Sequence, residues 1–193
     1  SVSMLRIAKA SLVEDAWQQH PNQTLTVFKE LSEAEYLAGN FDAADLLYAE
    51  GIDDADDILA KITLILVKSE QYQLQTKFPD SVHALITGLN LLGDEQSDNE
   101  TISAQQLPEL FAKVENMLAQ SDTKSLLALD EMTRHEHLMA MQLHANLLSG
   151  LYLTGRFQSF GLSACKMVLL TLTHGQSDLS AIGYRSYMVV MAM

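Results

Sequence analysis

Apolar residues recur at helical spacing along most of this chain. Leu25, Phe28, Leu31 and Ala34 fall three residues apart and Leu37 continues the row, the period of a helix with one buried face. "AGNF" (38–41) reads as a turn, and beyond it Ala44, Leu47 and Tyr48 share a face again. Helix, short glycine-containing turn and helix make a helical hairpin. The pattern predicts further helices over 55–75, after the turn "KFPDS" (77–81) as far as Gly93, over 107–120, 123–131 and 135–153, from Phe157 through His174, and from Ser177 to the end. Pro79 suits a first helical turn, Gly93 a C-cap and Ser177 an N-cap. "TGRF" (154–157) is the turn of a late hairpin, as "AGNF" is of the first, whereas the acidic "DEQSDNETIS" (94–103) reads as a loop. No segment alternates like a strand.

Phe41, Phe78 and Phe157 each open the second helix of a pair. The first interval is 37 residues and the second 79, about two such units. A period of roughly 35 to 40 residues marks helical-hairpin repeats. "LSEAEYLAGNFDAADLLYAEG" carries Gly39, Phe41, Ala44, Tyr48 and Gly51 and resembles a tetratricopeptide repeat, without the usual early Trp and closing Pro. A narrower resemblance runs from about Leu5 to Met193. "ELSEAEYLAGNFDAADLLY", "GLNLLG" (88–93), "LDEMT" (129–133), "LSGLYLTGRF" and "HGQSDLSAIGY" (174–184) occur in one order. Together they resemble the helical region that follows the AAA-type ATPase module in bacterial multidomain signalling proteins. There it precedes GAF or PAS sensors and a histidine kinase or other output domain, and many such proteins begin with a serine/threonine-kinase-like domain. "KFPDS" departs from the pattern in lacking the usual glycine, and "HGQSDLSA" has Gln and Asp where Asn-Ser-Pro is common. The resemblance implies an all-α fold, an α-α superhelix of tetratricopeptide-like hairpins with about nine or ten helices in one domain, 1–193. Its packing signature is Gly39, Phe41, Ala44, Tyr48, Phe78, Gly88, Gly93, Gly155 and Phe157.

Composition narrows the partners. Hydrophobic residues make up 48% and charged residues 19%, enough apolar surface for a core. Only three prolines and nine glycines interrupt the helical pattern. A net charge of −13 and a pI near 4.7 argue against nucleic acid and against an anionic membrane surface. Cys165 is the one cysteine, so neither an internal disulfide nor a cysteine zinc site can form. Its apolar neighbours mark a buried structural thiol, which fits a reducing, cytoplasmic compartment. The start has no secretory pattern, and no window reaches the ~18 apolar residues of a membrane span. The last predicted helix stops in its most apolar stretch, "YMVVMAM", the expectation for a piece of a longer protein.

Motifs for chemistry are missing. There is no phosphate-binding Gly-x-x-x-x-Gly-Lys-Ser/Thr loop and no dinucleotide fingerprint. There is also no Gly-x-Ser-x-Gly elbow. "DDADD" (53–57) and "DEQSDNE" (94–100) lack the ligand order of a calcium loop and read as solvated helix caps. "RHEHLMAMQLH" (134–144) is the one candidate ligand cluster. His137, Met141 and His144 share a helical face, but no second His follows at zinc-protease spacing. Leu138, Met141, Ala145 and Leu148 form an overlapping apolar stripe, so packing with partly exposed histidines is the expectation, with metal binding or a pH-sensitive contact as alternatives. No catalytic or cofactor-binding residue is assigned. The expected function is a non-catalytic protein-interaction segment of a cytoplasmic signalling protein, coupling an ATPase module to sensor or kinase output. A free-standing adaptor or chaperone for a basic peptide is the alternative. Partners are neighbouring domains, a peptide or protein, or a second copy docked through the last helix.

Overall fold

The computed structural model describes residues 1–192. Among them the chain is all-helical, with eleven helices and no strand beyond one isolated bridge. It divides into two compact units, Ser1–Gln75 and Thr76–Met193.

The first unit holds α1 (Val2–Ala10), α2 (Ala16–Gln19), α3 (Pro21–Leu37), α4 (Phe41–Asp54) and α5 (Ile58–Leu74). The four-residue α2 carries the count past the nine or ten expected; it is too short to show an apolar period. The expected hairpin is α3 with α4, and α5 packs on both. Phe28, Leu31, Leu47 and Leu64 form the core. Ala44 is buried and Tyr48 half-buried, as their shared face predicts. The GIDDADD stretch splits as its acids suggest: α4 ends at Asp54, and Asp57 caps α5 by accepting from the Ala60 amide at 3.1 Å. Glu35 is the exception to an apolar interior. Its buried carboxylate receives Arg6 Nε at 2.6 Å, Arg6 Nη2 at 2.8 Å and Asn40 Nδ2 at 2.7 Å. The Arg6 hydrogen bonds outweigh the cost of burial and hold its pKa below the usual value. This clamp ties α1 to α3 and to the turn beyond it.

The second unit holds α6 (Phe78–Leu91), α7 (Glu100–Ala119), α8 (Thr123–Leu127), α9 (His135–Leu153), α10 (Phe157–His174) and α11 (Ser180–Met191). The α9–α10 hairpin forms as predicted, and α10 sits against α7, α9 and α11 together. The α6 helix packs on α9. Three boundaries differ from expectation. The segment 94–103 is a loop only as far as Asn99, whose side chain accepts from the Thr101 and Ile102 amides and starts α7 seven residues early. The α8 helix ends at Leu127, and the chain then runs beside the α10–α11 link as a parallel bridge between Glu131 and Gln176. Ser177 does not cap the last helix, which starts at Ser180. Its amide instead donates to Ser180 Oγ at 3.0 Å within the preceding turn.

The polar groups of α10 are distributed among its neighbours. Ser159 pairs with Ser103 of α7 at 2.9 Å, Ser163 with His144 of α9 at 2.7 Å and Thr171 with Ser180 of α11 at 2.9 Å. Its first turn has no cap from its own chain segment. Glu100 of α7 supplies one, accepting from the Gln158 amide at 2.9 Å, the Ser159 amide at 3.0 Å and Ser159 Oγ at 2.7 Å. Partial burial opposes ionisation of Glu100, but these bonds and the Arg156 charge prevail and lower its pKa.

One turn recurs three times. Gly39, Thr76 and Gly155 take φ of 83°, 59° and 72°. Asn40, Lys77 and Arg156 follow with φ/ψ of −88/62°, −85/59° and −90/67°. Phe41, Phe78 and Phe157 then open the next helix. Asn40 and Arg156 close the turn by donating to Glu35 and Leu151 carbonyls five residues back, both at 2.9 Å. The preceding helices end Tyr36-Leu37, Gln73-Leu74 and Tyr152-Leu153, and the tyrosines meet Phe41 and Phe157 at 5.2 and 5.9 Å between ring centroids. The missing glycine of "KFPDS" is thus Thr76, a β-branched residue held in the left-handed region. That strain costs on the order of 1–3 kcal/mol. Gly93 repeats the positive φ (77°) after α6, while Gly88 lies buried inside that helix.

Relief of the strain makes Thr76→Gly a stabilising change of about 1 kcal/mol, net of glycine's entropy in the unfolded chain. Gly155→Ala is expected to cost about 1–2 kcal/mol from backbone strain alone, because a Cβ there meets nothing within 4 Å. Gly175→Ala should cost more, since its φ is 101° and its Cβ would lie 2.3 Å from the Asp130 carbonyl oxygen. Urea denaturation followed by circular dichroism ranks the three; any other order contradicts this account of the turns.

Candidate functional site

The histidine cluster does not converge on one point. Met141 and His144 are fully buried in α9, which corrects the expectation of partly exposed histidines for His144. His137, a half-buried residue at the start of α9, stacks on His174 at the end of α10, with ring centroids 3.6 Å apart. Desolvation, then the nearby His174 and Arg134 charges, lower the pKa of His137. Among the described residues no three His, Cys, Asp or Glu side chains gather into a metal-holding group.

His144 belongs to a different constellation. Its Nε2 lies 2.8 Å from Asp94 Oδ2 and its Nδ1 2.7 Å from Ser163 Oγ. An ionised carboxylate only accepts, so Nε2–H donates to Asp94, leaving Nδ1 free to accept from the serine hydroxyl when the ring is neutral. Lys166 of α10 donates to Asp94 Oδ1 at 2.6 Å and to the Glu95 carbonyl. Asp94 thus ties the end of α6 to α9 and α10. Desolvation pushes its pKa up, but the His144 and Lys166 bonds and charges overcome that and bring it to about 2.

Ser163, His144 and Asp94 have the order of a hydrolase triad, yet Ser163 and His144 have no exposed surface. A substrate carbonyl has no approach to Ser163 Oγ, and the serine sits on Nδ1, where such a triad places its carboxylate. The arrangement positions helices. Sequence reasoning missed it because the members lie 50 and 19 residues apart on three elements; one sign was a histidine on the apolar stripe of α9.

Two surface features adjoin this frame. A cleft of about 450 Å³ opens beside Asp94 and Lys166, walled by Gln106, Glu109 and Lys113 of α7. A second groove, of about 440 Å³, runs between α9 and α11. Leu148 and Tyr152 form one wall, Ile182 and Val189 the other, and Phe160 closes it. Tyr152 and Val189 are 56% and 42% exposed. Cys165 has no exposed surface, and burial pushes its thiol up to about 12, in keeping with the structural reading.

No protein-family model matches this chain, and neither a curated protein nor a solved structure does. No helix among the described residues is long and apolar enough to cross a membrane.

Asp94 makes acid stability the measurable consequence of the network. Its folded pKa of about 2 lies below the unfolded value of about 3.9. The stabilisation is therefore complete above pH ~4 and is lost as pH falls toward ~2, worth about 2 kcal/mol. Asp94→Asn should flatten that part of the stability–pH curve by about this amount relative to the unmodified chain. Parallel curves for the two proteins would remove Asp94 from this role.

Proposed function

We propose that this chain is a non-catalytic helical-repeat interaction segment of a cytoplasmic signal-transduction protein, coupling an ATPase module to sensor or kinase output. The observation that carries the reading is the turn repeated at Gly39, Thr76 and Gly155, each followed by a helix-opening phenylalanine. One backbone path used three times supports a tetratricopeptide-like array, whose surfaces bind rather than catalyse. The burial of Ser163 and His144 agrees with a structural use of the chain's most hydrolase-like residues. The coupling role comes from the resemblance in the ordered packing motifs. A free-standing adaptor is the second reading, favoured by the exposed apolar walls of the α9–α11 groove.

The complete open reading frame tests the first reading. An ATPase module upstream and a sensor or output domain downstream are expected. A stop codon directly after Met193 with no ATPase before it overturns the coupling role and leaves the adaptor.

A further inference from the structure

We propose that the α9–α11 groove docks an acidic amphipathic helix, with apolar side chains entering the groove and a carboxylate pairing with Arg185. The proposal rests on the interaction role above and names its surface and partner chemistry.

The lining sets the shape of the occupant. Leu148 and Tyr152 lie one turn apart on α9, and Ile182 and Val189 lie two turns apart on α11. A row of apolar anchors on each wall suits a helix laid along the groove, read by residues at i, i+3 or i+4, and i+7. Ser149 and Ser186, with Ala145, keep the floor low where the partner backbone must approach. The aromatic end is rigid: Tyr152 packs against Phe157 and Phe160 at 5.9 and 6.2 Å. Rigid aromatic anchors lose little side-chain freedom on binding.

Charge sets the sign. Arg185 is the one charged side chain lining the groove. It is exposed and forms no ion pair among the described residues. Residues 145–193 contain Arg156, Lys166 and Arg185 against Asp178 alone, so 24 of the 25 acids and 9 of the 12 bases lie in 1–144. Arg156 and Lys166 pair with Asp98 and Asp94, so the charge presented at the groove is that of Arg185. Overall acidity suggests basic partners, but the groove's own field selects a carboxylate. A second copy docked face to face on this groove brings no such group. Asp178 lines a different cleft, with Leu129 and Met132.

Two fluorescent, end-capped synthetic helices about five turns long test the assignment. They share one leucine pattern and differ in carrying Glu or Lys beside it. Fluorescence anisotropy with the intact chain should show the Glu peptide binding at least about tenfold tighter. Arg185→Glu should reverse that preference, and Val189→Asp should abolish binding of both, each variant keeping its circular dichroism spectrum. Equal affinity for the two peptides, or Glu-peptide binding unchanged by Arg185→Glu, overturns the proposal. So does a dimer in sedimentation that Val189→Asp dissociates, because a second copy then fills the groove. The reading-frame test can fail while charge reversal at Arg185 holds, and the reverse, so the two failures are separable.

Discussion

Burial of α10 on several sides at once is the constraint on which the second unit depends. A helix in that position can turn few polar groups to water, yet its sequence holds serines, threonines, a lysine and a cysteine. Each polar group therefore needs a partner on a different neighbour. Ser159 finds α7, Ser163 finds α9, Lys166 finds the loop after α6, and Thr171 finds α11. These bonds supply direction where apolar packing supplies only contact. They explain how a carboxylate such as Asp94 remains in a half-buried place: its two partners, His144 and Lys166, arrive from α9 and from α10, which pack on each other.

The same frame leaves one face unfinished. Most apolar residues of α10 are buried among its neighbours, whereas Phe157 at its start, Tyr152 of α9 and Val189 of α11 stay in water. Large apolar side chains that line an open groove beside an unpaired cation differ in kind from apolar residues scattered singly over a surface. The groove also differs in charge from the rest of the chain: Arg185 is the charged side chain in its lining, whereas 24 of the 25 acids lie in 1–144.

Much of the architecture was legible because it is local. Helical periods, the "AGNF" and "TGRF" turns and the cap at Gly93 depend on residues within a few positions of one another, and these appear as expected. What escaped notice depends on distant chain. The run 94–100 looks like solvated acid, yet Asp94 and Glu100 take their partners 50 to 72 residues away. Thr76 was invisible as a turn residue because its side chain disfavours the conformation it adopts. The face shared by His137, Met141 and His144 was correctly spaced, but spacing does not say that α10 meets both its ends, burying His144 and leaving His137 half-buried. Arg185 reads as an ordinary helical charge until the groove around it is seen.

Glu100 caps a helix that begins 57 residues later, and this has a consequence for how the unit assembles. A stacked array of independent hairpins can grow from any member, each finishing its own ends before the next arrives. The α9–α10 hairpin cannot do so. The first amides of α10 remain unsatisfied until α7 docks, and α7 has its own start beside that docking point at Asn99. An isolated hairpin would fray at the turn that defines it. The α9–α10 hairpin and α7 are therefore interdependent: the first turn of α10 is complete only where Glu100 stands beside it.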